Sequence, residues 1–399
     1  IRLVIRKALT EFDAKTVLYE LACGKHLVCP FDAARLDVHR QEIIDILESY
    51  LGRRISSEAA EGQPFALDLL AAYAEAAGDP DHRVLTAPIN SYTTGVPLGF
   101  KRKLPRTPAV FERKKKWRTY EDALFEGQPE DQANYMSAKE HLKEIRDQFN
   151  AEEEAKRMER MTMAHAREVY GERLVVAALG ALEKSDDSFR VIHDGSHGVR
   201  VNPAIRPRDQ CRMPGADELK VIQGRNRARG GVHFALLGDF AKAHRQVKIR
   251  KEDQGLQACQ LDRPDEVWIN LVGTFGLASA GYWWGRLAAI TMRSAMYLAF
   301  TDWYWQLLFA DDLLLTATGP ETPQILLQTV YWLALIRAPI AWKKFRGGLE
   351  GDWIGYWCDF ANFRVGLNER RAAWTLHWLE SLGARQSVLV QEVQEALGR

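Results

Sequence analysis

Residues 309–312 read Phe-Ala-Asp-Asp and lie between two apolar runs, Gln-Leu-Leu at 306–308 and Leu-Leu-Leu at 313–315. Burying a carboxylate is unfavourable unless it is paired or binds a metal, and two adjacent carboxylates also repel each other. A divalent cation would relieve both costs, so the pattern predicts a strand, an acidic turn that faces a metal, and a second strand. The alternative is a surface hairpin whose turn is acidic by chance, because short motifs often match without function.

The composition is that of an ordinary globular protein. Of 399 residues, 46% are hydrophobic and 27% are charged, and the net charge of +1 indicates no particular partner. The length allows two or three domains. Two clusters of basic residues, in 101–118 and 200–229, suit a polyanion because neutralising phosphates releases counterions. A solvated loop is the other interpretation of either cluster.

The five cysteines are scattered, which argues against a disulfide framework and for a reducing, intracellular location, either cytoplasm or nucleus. A zinc site built from Cys23, His26, Cys29 and His39 matches no standard spacing. No secretory signal opens the sequence, and arginines interrupt the apolar region 269–300, so no membrane span is predicted. Because the first residue is Ile rather than Met, we expect a piece of a longer polypeptide.

Hydrophobic periodicity predicts a mostly helical region over 1–90, with helices at 33–51 and 64–77, and one or two long charged helices over 131–183. Residues 79–110 are rich in Pro, Gly, Thr and Ser, which predicts a long connection. Near residue 188 the sequence becomes rich in β-forming residues, and Asp-Gly between 189–193 and 197–201 predicts a hairpin.

The remaining predicted elements run from residue 232 to the end of the sequence. They are a strand at 232–240, a helix at 279–299, strands at 303–309 and 313–318, a helix at 324–336, a strand at 353–357, and helices at 369–382 and 388–397. The order strand-helix-strand-strand-helix-strand between 232 and 357 is typical of an antiparallel sheet with helices on one face, of the ferredoxin-like kind. The predicted class is therefore α+β.

This order can bring the end of the 232–240 strand beside the acidic hairpin. Asp239 would then lie close to Asp311 and Asp312. Three carboxylates make an oxygen-rich site that suits Mg²⁺, and two such ions can support an in-line phosphoryl displacement.

Five segments in order resemble the fingers and palm of a reverse transcriptase of a retroelement. They are Gly-Asp-Phe-Ala-Lys-Ala-His-Arg-Gln-Val at 238–247, Phe-Gly-Leu-Ala-Ser-Ala at 275–280, the acidic segment 309–312, Trp-Lys-Lys-Phe at 342–345, and Trp-Ile-Gly-Tyr at 353–356. The last resembles the hydrophobic hairpin that grips the primer. The resemblance implies a right-hand polymerase with a ferredoxin-like palm sheet, and it covers somewhat under half of the chain.

The resemblance also implies a role for each matching residue. Asp239, Asp311 and Asp312 would be the catalytic residues and would hold two Mg²⁺ ions, with Mn²⁺ as the other candidate. The implied nucleotide-binding residues are Phe240, Ala241, Lys242, His244, Phe275, Gly276 and Lys344. The implied primer grip is Trp353, Ile354, Gly355 and Tyr356.

Several assignments stay open at this point. His244 stands where the family usually has Phe or Tyr, so it either contacts the sugar or packs as a neutral core residue. Lys343 or Lys344 would protonate the leaving pyrophosphate, or the pair lies on the surface. The arginine that clamps the triphosphate is one of a set: Arg190, Arg200, Arg206 or Arg208. Four tryptophans either stack on bases or pack in the core: Trp283, Trp284, Trp303 and Trp305.

The predicted organisation has four parts. They are a helical region of unknown role at 1–90, a basic linker with long charged helices at 91–187, fingers and palm at 188–367, and a truncated start of a thumb or connection at 368–399. The predicted function is an RNA-directed DNA polymerase from a retroelement polyprotein, acting on an RNA template, a DNA or RNA primer and deoxynucleotides. The alternatives are a decayed copy that only binds nucleic acid, a polymerase that copies RNA into RNA, and a structural helical protein with a chance match.

Overall fold

The computed structural model describes residues 1–108, 112–113, 132–184, 189–383 and 387–398. Its α-helices are α1 (Arg2–Ala8), α2 (Ala14–Ala22), α3 (Ala33–Leu51), α4 (Leu67–Ala76), α5 (Arg83–Thr86), α6 (Met136–Glu140), α7 (Leu142–Glu154), α8 (Met163–Tyr170), α9 (Ala216–Arg229), α10 (Lys251–Gln254), α11 (Ala280–Leu298), α12 (Thr322–Leu335), α13 (Glu369–Gly383) and α14 (Val390–Gly398).

The strands are β1 (Glu112–Arg113), β2 (Met158–Thr162), β3 (Val176–Ala177), β4 (Leu179–Glu183), β5 (Phe189–His193), β6 (Asp209–Gln210), β7 (Phe234–Asp239), β8 (Ala258–Cys259), β9 (Glu266–Asn270), β10 (Tyr304–Phe309), β11 (Asp312–Ala317), β12 (Arg346–Gly348), β13 (Glu350–Trp353), β14 (Tyr356–Asp359) and β15 (Arg364–Leu367). Helices and several small sheets alternate along the chain, which confirms the predicted α+β class.

One antiparallel sheet positions the acidic segment. Its strand order is β10-β11-β7-β12, and α11 and α12 connect β7 to β10 and β11 to β12 along the chain. Leu236, Leu313 and Leu315 belong to a large core cluster that includes residues of both helices. Leu314 and Ala235 belong to a second cluster, which also contains residues of α9 and of the β13-β14-β15 sheet. Because side chains alternate along a strand, the sheet is covered on both faces.

The other sheets are small. β2, β9, β8 and β3 form a four-stranded sheet in that order, β4 pairs with β5, and β1 pairs with β6. Among the described residues, no helix is both long and apolar enough to cross a membrane.

The prediction of one or two long helices over 131–183 is wrong. Helix α7 ends at Glu154, Lys156 has a positive φ of 56°, and residues 158–162 form β2. β2 is mostly polar, and it becomes a strand by pairing with β9, more than 100 residues later. A non-local partner has therefore overridden the local preference for helix.

The predicted hairpin around Asp194 is also wrong. β5 pairs with the preceding strand β4 instead of with residues 197–201. The Asp194 carboxylate accepts hydrogen bonds from the backbone N–H groups of Ser196 and His197, at 2.9 and 3.2 Å. This side-chain turn directs the chain away from a return strand.

The predicted strand over 353–357 is broken in the middle. Ile354 and Gly355 both have positive φ, 44° and 84°, and form the tight turn between β13 and β14. The strand that follows α12 in the main sheet is instead β12, at 346–348.

The helices at 1–76 do not form a core of their own. Residues of α1 to α4 share one hydrophobic cluster with α11 and α12. Two ion pairs join the turn after α4 to α11: Arg286 donates twice to Asp81, at 2.6 and 2.8 Å, and Arg293 donates twice to Asp79, at 2.7 and 2.9 Å. Helix α13, by contrast, has no buried residue.

Candidate active site

The acidic segment forms the predicted hairpin turn. Phe309 pairs with Asp312, which leaves a two-residue loop of Ala310 and Asp311. Ala310 has a φ of 53°, and its carbonyl accepts a hydrogen bond from the Trp284 indole N–H at 2.8 Å. A tryptophan that is itself 1% exposed therefore holds the turn from beneath.

Asp239 and Asp312 lie directly opposite each other on β7 and β11. The backbone N–H of Phe240 donates to the Asp311 carbonyl at 3.0 Å, which ties the end of β7 to the acidic turn. Asp239 and Asp312 also line a cleft of about 680 Å³. The other residues lining it are Leu237, Gly238, Lys343, Lys344, Arg346, Gly347, Glu350, Gly351, Asp352, Trp353 and Ile354.

The charges of the three acids act on one another. Burial, followed by repulsion from Asp311 and Asp239, raises the pKa of Asp312 to about 6, although Lys344 opposes the shift. Burial is also the main cause that raises the pKa of Asp239; Lys344 opposes it, and Asp311 adds to it. A bound cation would relieve the repulsion among these carboxylates.

Lys344 forms an ion pair with one of these acids. Its ammonium donates to Asp239 Oδ2 at 2.7 Å. In the described parts of the chain, no group of three or more His, Cys, Asp or Glu side chains is arranged to hold a metal ion. The carboxylate oxygens of the three acids are ligands that suit Mg²⁺. In this structure, however, the Asp239 carboxylate is hydrogen-bonded to the Lys344 ammonium. The two-metal site remains a prediction.

A second group of predicted residues meets around Phe275. The His244 ring lies 4.8 Å from the Phe275 ring, and the Arg190 guanidinium lies 5.1 Å from the same ring. Burial, and then the Arg190 charge, lowers the pKa of His244, which favours the neutral imidazole. Its buried Nδ1 has no hydrogen-bond partner among the described residues. Of the four candidate arginines, Arg190 therefore lies beside Phe275, whereas Arg208 donates to the carbonyl of Leu104.

Gly276 is required by the turn that follows Phe275. It has a φ of 104°, and a Cβ at this position would lie 1.9 Å from the His193 carbonyl oxygen. The His193 N–H donates to the Phe275 carbonyl at 2.9 Å, and Asn202 donates to the Gly276 carbonyl at 2.6 Å. The end of β5 therefore fixes the backbone of the turn.

The residues after Asp239 are held within the protein. The Phe240 side chain is fully buried and packs on Trp284. The Ala241 N–H donates to the Pro339 carbonyl at 2.7 Å. The backbone N–H groups of Phe240 and Ala241 therefore already have hydrogen-bond partners within the protein. Of the three residues 240–242, Lys242 alone has a cationic side chain, and that side chain is exposed.

Sequence reasoning missed Glu152. This buried carboxylate accepts from Lys242 at 2.6 Å and Arg245 at 2.9 Å, and it pairs with Arg157 at 3.0 Å. Burial would raise the pKa of Glu152, but the Arg245 charge and the Lys242 hydrogen bond outweigh it and lower the pKa. No sequence signal could have found this residue, because α7 lies 90 residues before Lys242.

The hairpin at 353–356 adjoins the acidic turn. The Trp353 indole N–H donates to the Asp312 carbonyl at 3.3 Å, and Trp353 and Ile354 line the same cleft as Asp239. On the other side of the hairpin, the Arg371 guanidinium lies 5.5 Å from the Tyr356 ring. The structure therefore brings the predicted primer grip against the acidic hairpin.

The predicted tryptophans divide into two pairs. Trp283 and Trp284 are 1% exposed and belong to the core, as the packing alternative expects. Trp303 and Trp305 are half-buried beneath Arg229 and Arg225 of α9, with guanidinium-to-ring distances of 4.7 and 5.5 Å.

The residues of the hypothetical zinc site do not converge. His39 contacts Tyr331 and Glu11, and His26 pairs with Glu20 at 3.1 Å. The first basic cluster lies partly outside the described residues, since 109–111 and 114–131 are not described.

No protein-family model and no curated protein matches the sequence. The chain is similar to solved structures of a foamy viral protease-reverse transcriptase. Two are complexes with double-stranded DNA: one has a TM-score of 0.47 and 14% identity over 73% of this chain and 44% of that chain, the other 0.45 and 13% over 73% and 53%. A complex with an RNA/DNA hybrid has a TM-score of 0.46 and 12% identity over 68% and 32%. This chain thus spans from 32% to 53% of the length of those three chains.

Proposed function

We propose that this chain is an RNA-directed DNA polymerase of a retroelement, which adds deoxynucleotides to a primer 3′ end on an RNA template. The observation that carries the proposal is the register of Asp239 opposite Asp312 at an open cleft, with Asp311 on the adjoining turn. The β10-β11-β7-β12 order, with a helix before β10 and another before β12, is compatible with the ferredoxin-like palm that this proposal requires.

The three acids would hold two Mg²⁺ ions, which when bound would supply charge stabilisation for the phosphoryl transfer. Lys344 would leave Asp239 when a metal is bound and would then be free to donate a proton to the leaving pyrophosphate. In the structure as it stands, the Lys344 ammonium offsets the negative charge of Asp239, which would otherwise repel Asp312.

The cluster of His244, Phe275 and Arg190 would contact the incoming nucleotide. Arg190 would contact the triphosphate, because a guanidinium can bind phosphate oxygens in pairs. His244 and Phe275 would contact the sugar, and Gly276 would keep the turn after Phe275 close to the end of β5. Residues 353–356 would hold the primer end next to Asp312.

Primer extension on an RNA template with Mg²⁺ tests the proposal. Asp239→Asn and Asp311→Asn should each lower incorporation by at least about 100-fold, since each removes charge that the transition state requires. Asp147→Asn, an exposed aspartate on α7, is the matched control and should keep full activity. Activity that survives either site substitution would contradict the proposal.

A second candidate is a copy that binds nucleic acid without catalysis. The observation that favours it is the Lys344–Asp239 contact together with the lack of a three-carboxylate group among the described residues. Salt-dependent RNA binding by the unaltered protein, with no incorporation in Mg²⁺ or Mn²⁺, would establish this candidate instead.

A third candidate, which copies RNA into RNA, is favoured by one feature of His244. Its unpaired Nδ1 could hydrogen-bond a 2′-hydroxyl, which Phe could not. Comparing incorporation of ribonucleotides and deoxynucleotides by the unaltered protein and by His244→Phe separates the candidates. A deoxynucleotide preference in the unaltered protein supports the first proposal.

A further inference from the structure

A second cleft of about 720 Å³ lies between the turn after α4, the segment 97–108 and the first turns of α11. It shares no lining residue with the cleft at Asp239. Six of its lining residues are cations: Arg83, Arg102, Lys103, Arg106, Arg250 and Arg286. Asp81 is the single acid in its lining.

Three of the cations are fixed by buried carboxylates. Arg286 donates twice to Asp81, and Arg250 donates twice to Asp253, at 2.8 and 3.0 Å. Arg106 donates to Asp209 at 2.7 Å. The three aspartates are at most 4% exposed, so these pairs form a rigid wall.

The other three cations have no such partner. The side chains of Arg83, Arg102 and Lys103 are exposed, and none makes an ion pair or hydrogen bond with a described residue. Since three carboxylates offset three arginines, the cleft carries an excess of about three positive charges that the described residues do not balance. A concave, low-dielectric surface concentrates such a field.

The rest of the lining narrows the ligand class. Four prolines, at 80, 97, 105 and 108, give the cleft stiff apolar walls. Arginine is the preferred residue for phosphate because its planar donors match phosphate oxygens. The volume lies within the range of small-ligand sites.

We infer that this cleft binds phosphate groups, either those of a single-stranded nucleic acid or those of a free polyphosphate. The inference does not depend on polymerase activity, because none of its residues lies in the proposed active site. The phosphate oxygens would contact Arg83, Arg102 and Lys103, against the wall formed by the three paired arginines.

The test compares two triple variants of the full chain. The cleft variant carries Arg83→Gln, Arg102→Gln and Lys103→Gln. The control carries Lys7→Gln, Lys15→Gln and Arg167→Gln, three exposed cations that do not line the cleft, so that both variants lose three charges. Thermal melting checks that both variants fold; if the cleft triple melts early, the Arg102→Gln and Lys103→Gln pair replaces it.

The probes are a labelled single-stranded DNA oligonucleotide and inorganic tripolyphosphate. We expect the cleft variant to bind at least one probe about tenfold more weakly than the control. For the oligonucleotide, the slope of log K against log salt should fall by about 2, since each lost contact with a single strand contributes about 0.7. A loss for the oligonucleotide alone identifies a nucleic-acid strand, and a loss for tripolyphosphate alone identifies a free polyphosphate.

Equal binding of both probes by the two variants would overturn the inference. So would a glutamate-rich peptide that binds the unaltered protein as tightly as the phosphate probes, because the site would then select charge rather than phosphate. A failure of the catalytic proposal can be distinguished from a failure of this inference. Asp311→Asn should keep this binding, and an unaltered protein without incorporation would leave the comparison of the two triple variants valid.

Discussion

Glu152 shows how a single carboxylate can join distant parts of this molecule. It lies on α7 and contacts Lys242 and Arg245, which follow the strand that carries Asp239. Arg245 is 7% exposed, and its other donors reach Asn270 and the Gly273 carbonyl. Burying a guanidinium is tolerated only when its charge and its donors are satisfied.

We expect Glu152→Ala to lower the free energy of unfolding by about 3 kcal/mol, because it leaves the buried Arg245 without its counter-charge. Glu154→Ala, an exposed position on the same helix, should change it by less than about 0.5 kcal/mol. Urea denaturation measures both values. Equal effects of the two substitutions would show that Glu152 is not the partner that Arg245 requires.

Among the helices and strands, the local sequence predicted an element correctly where its local preference agreed with the packing of the folded protein. Helix α3 was predictable at both ends because Asp32 caps its first turn and Gly52, with a φ of 68°, ends it. The acidic hairpin was predictable because its apolar runs pair with each other. β2 was not, since its polar sequence becomes a strand only against β9.

The residues of the candidate site also differ in whether local sequence could identify them. Asp239, Asp311 and Asp312 could be selected from local sequence, and the register of β7 and β11 places two of them face to face. Arg190 could not be chosen from four arginines, because its position depends on β5 meeting the Phe275 turn. The order of elements predicted that β7 and β11 meet, but it did not predict which arginine meets the Phe275 turn.

The hairpin between β13 and β14 depends on its glycine. Gly355 has a φ of 84°, and a Cβ there would lie 2.2 Å from Arg371 Nε. Gly355→Ala should therefore destabilise the protein by about 1–2 kcal/mol through backbone strain and displacement of Arg371.

The matched control for that change is Gly224→Ala in α9. A Cβ at position 224 meets no atom within 4 Å, and the position is helical. This substitution should stabilise the protein by about 0.5–1 kcal/mol. Thermal melting of both variants gives the comparison, and a shift in the same direction for both would refute the proposed role of the turn.

At the scale of the whole molecule, the N-terminal helices and the main sheet share one core. The buried pair of Asp81 and Arg286 joins residues 205 apart in sequence, and both are at most 5% exposed. Breaking such a pair leaves an uncompensated buried charge. The N-terminal helices should therefore unfold together with α11.

Asp81→Ala should lower the free energy of unfolding by about 3–5 kcal/mol. Asp68→Ala breaks the more exposed pair with Arg53 and should cost less than about 1 kcal/mol. Hydrogen exchange of Asp81→Ala should show faster exchange in α4 and α11 alike. Loss of protection in α4 alone would indicate that the N-terminal helices fold as a separate unit.

The position of β10 at the edge of the main sheet bears on how the protein behaves when concentrated. Its sequence is Tyr-Trp-Gln-Leu-Leu-Phe. Charged residues and prolines usually prevent an edge strand from pairing with another chain, and β10 contains neither. Strand-to-strand pairing between molecules is therefore a route to aggregation that β10 leaves open, and a lysine introduced on its outer edge should oppose it.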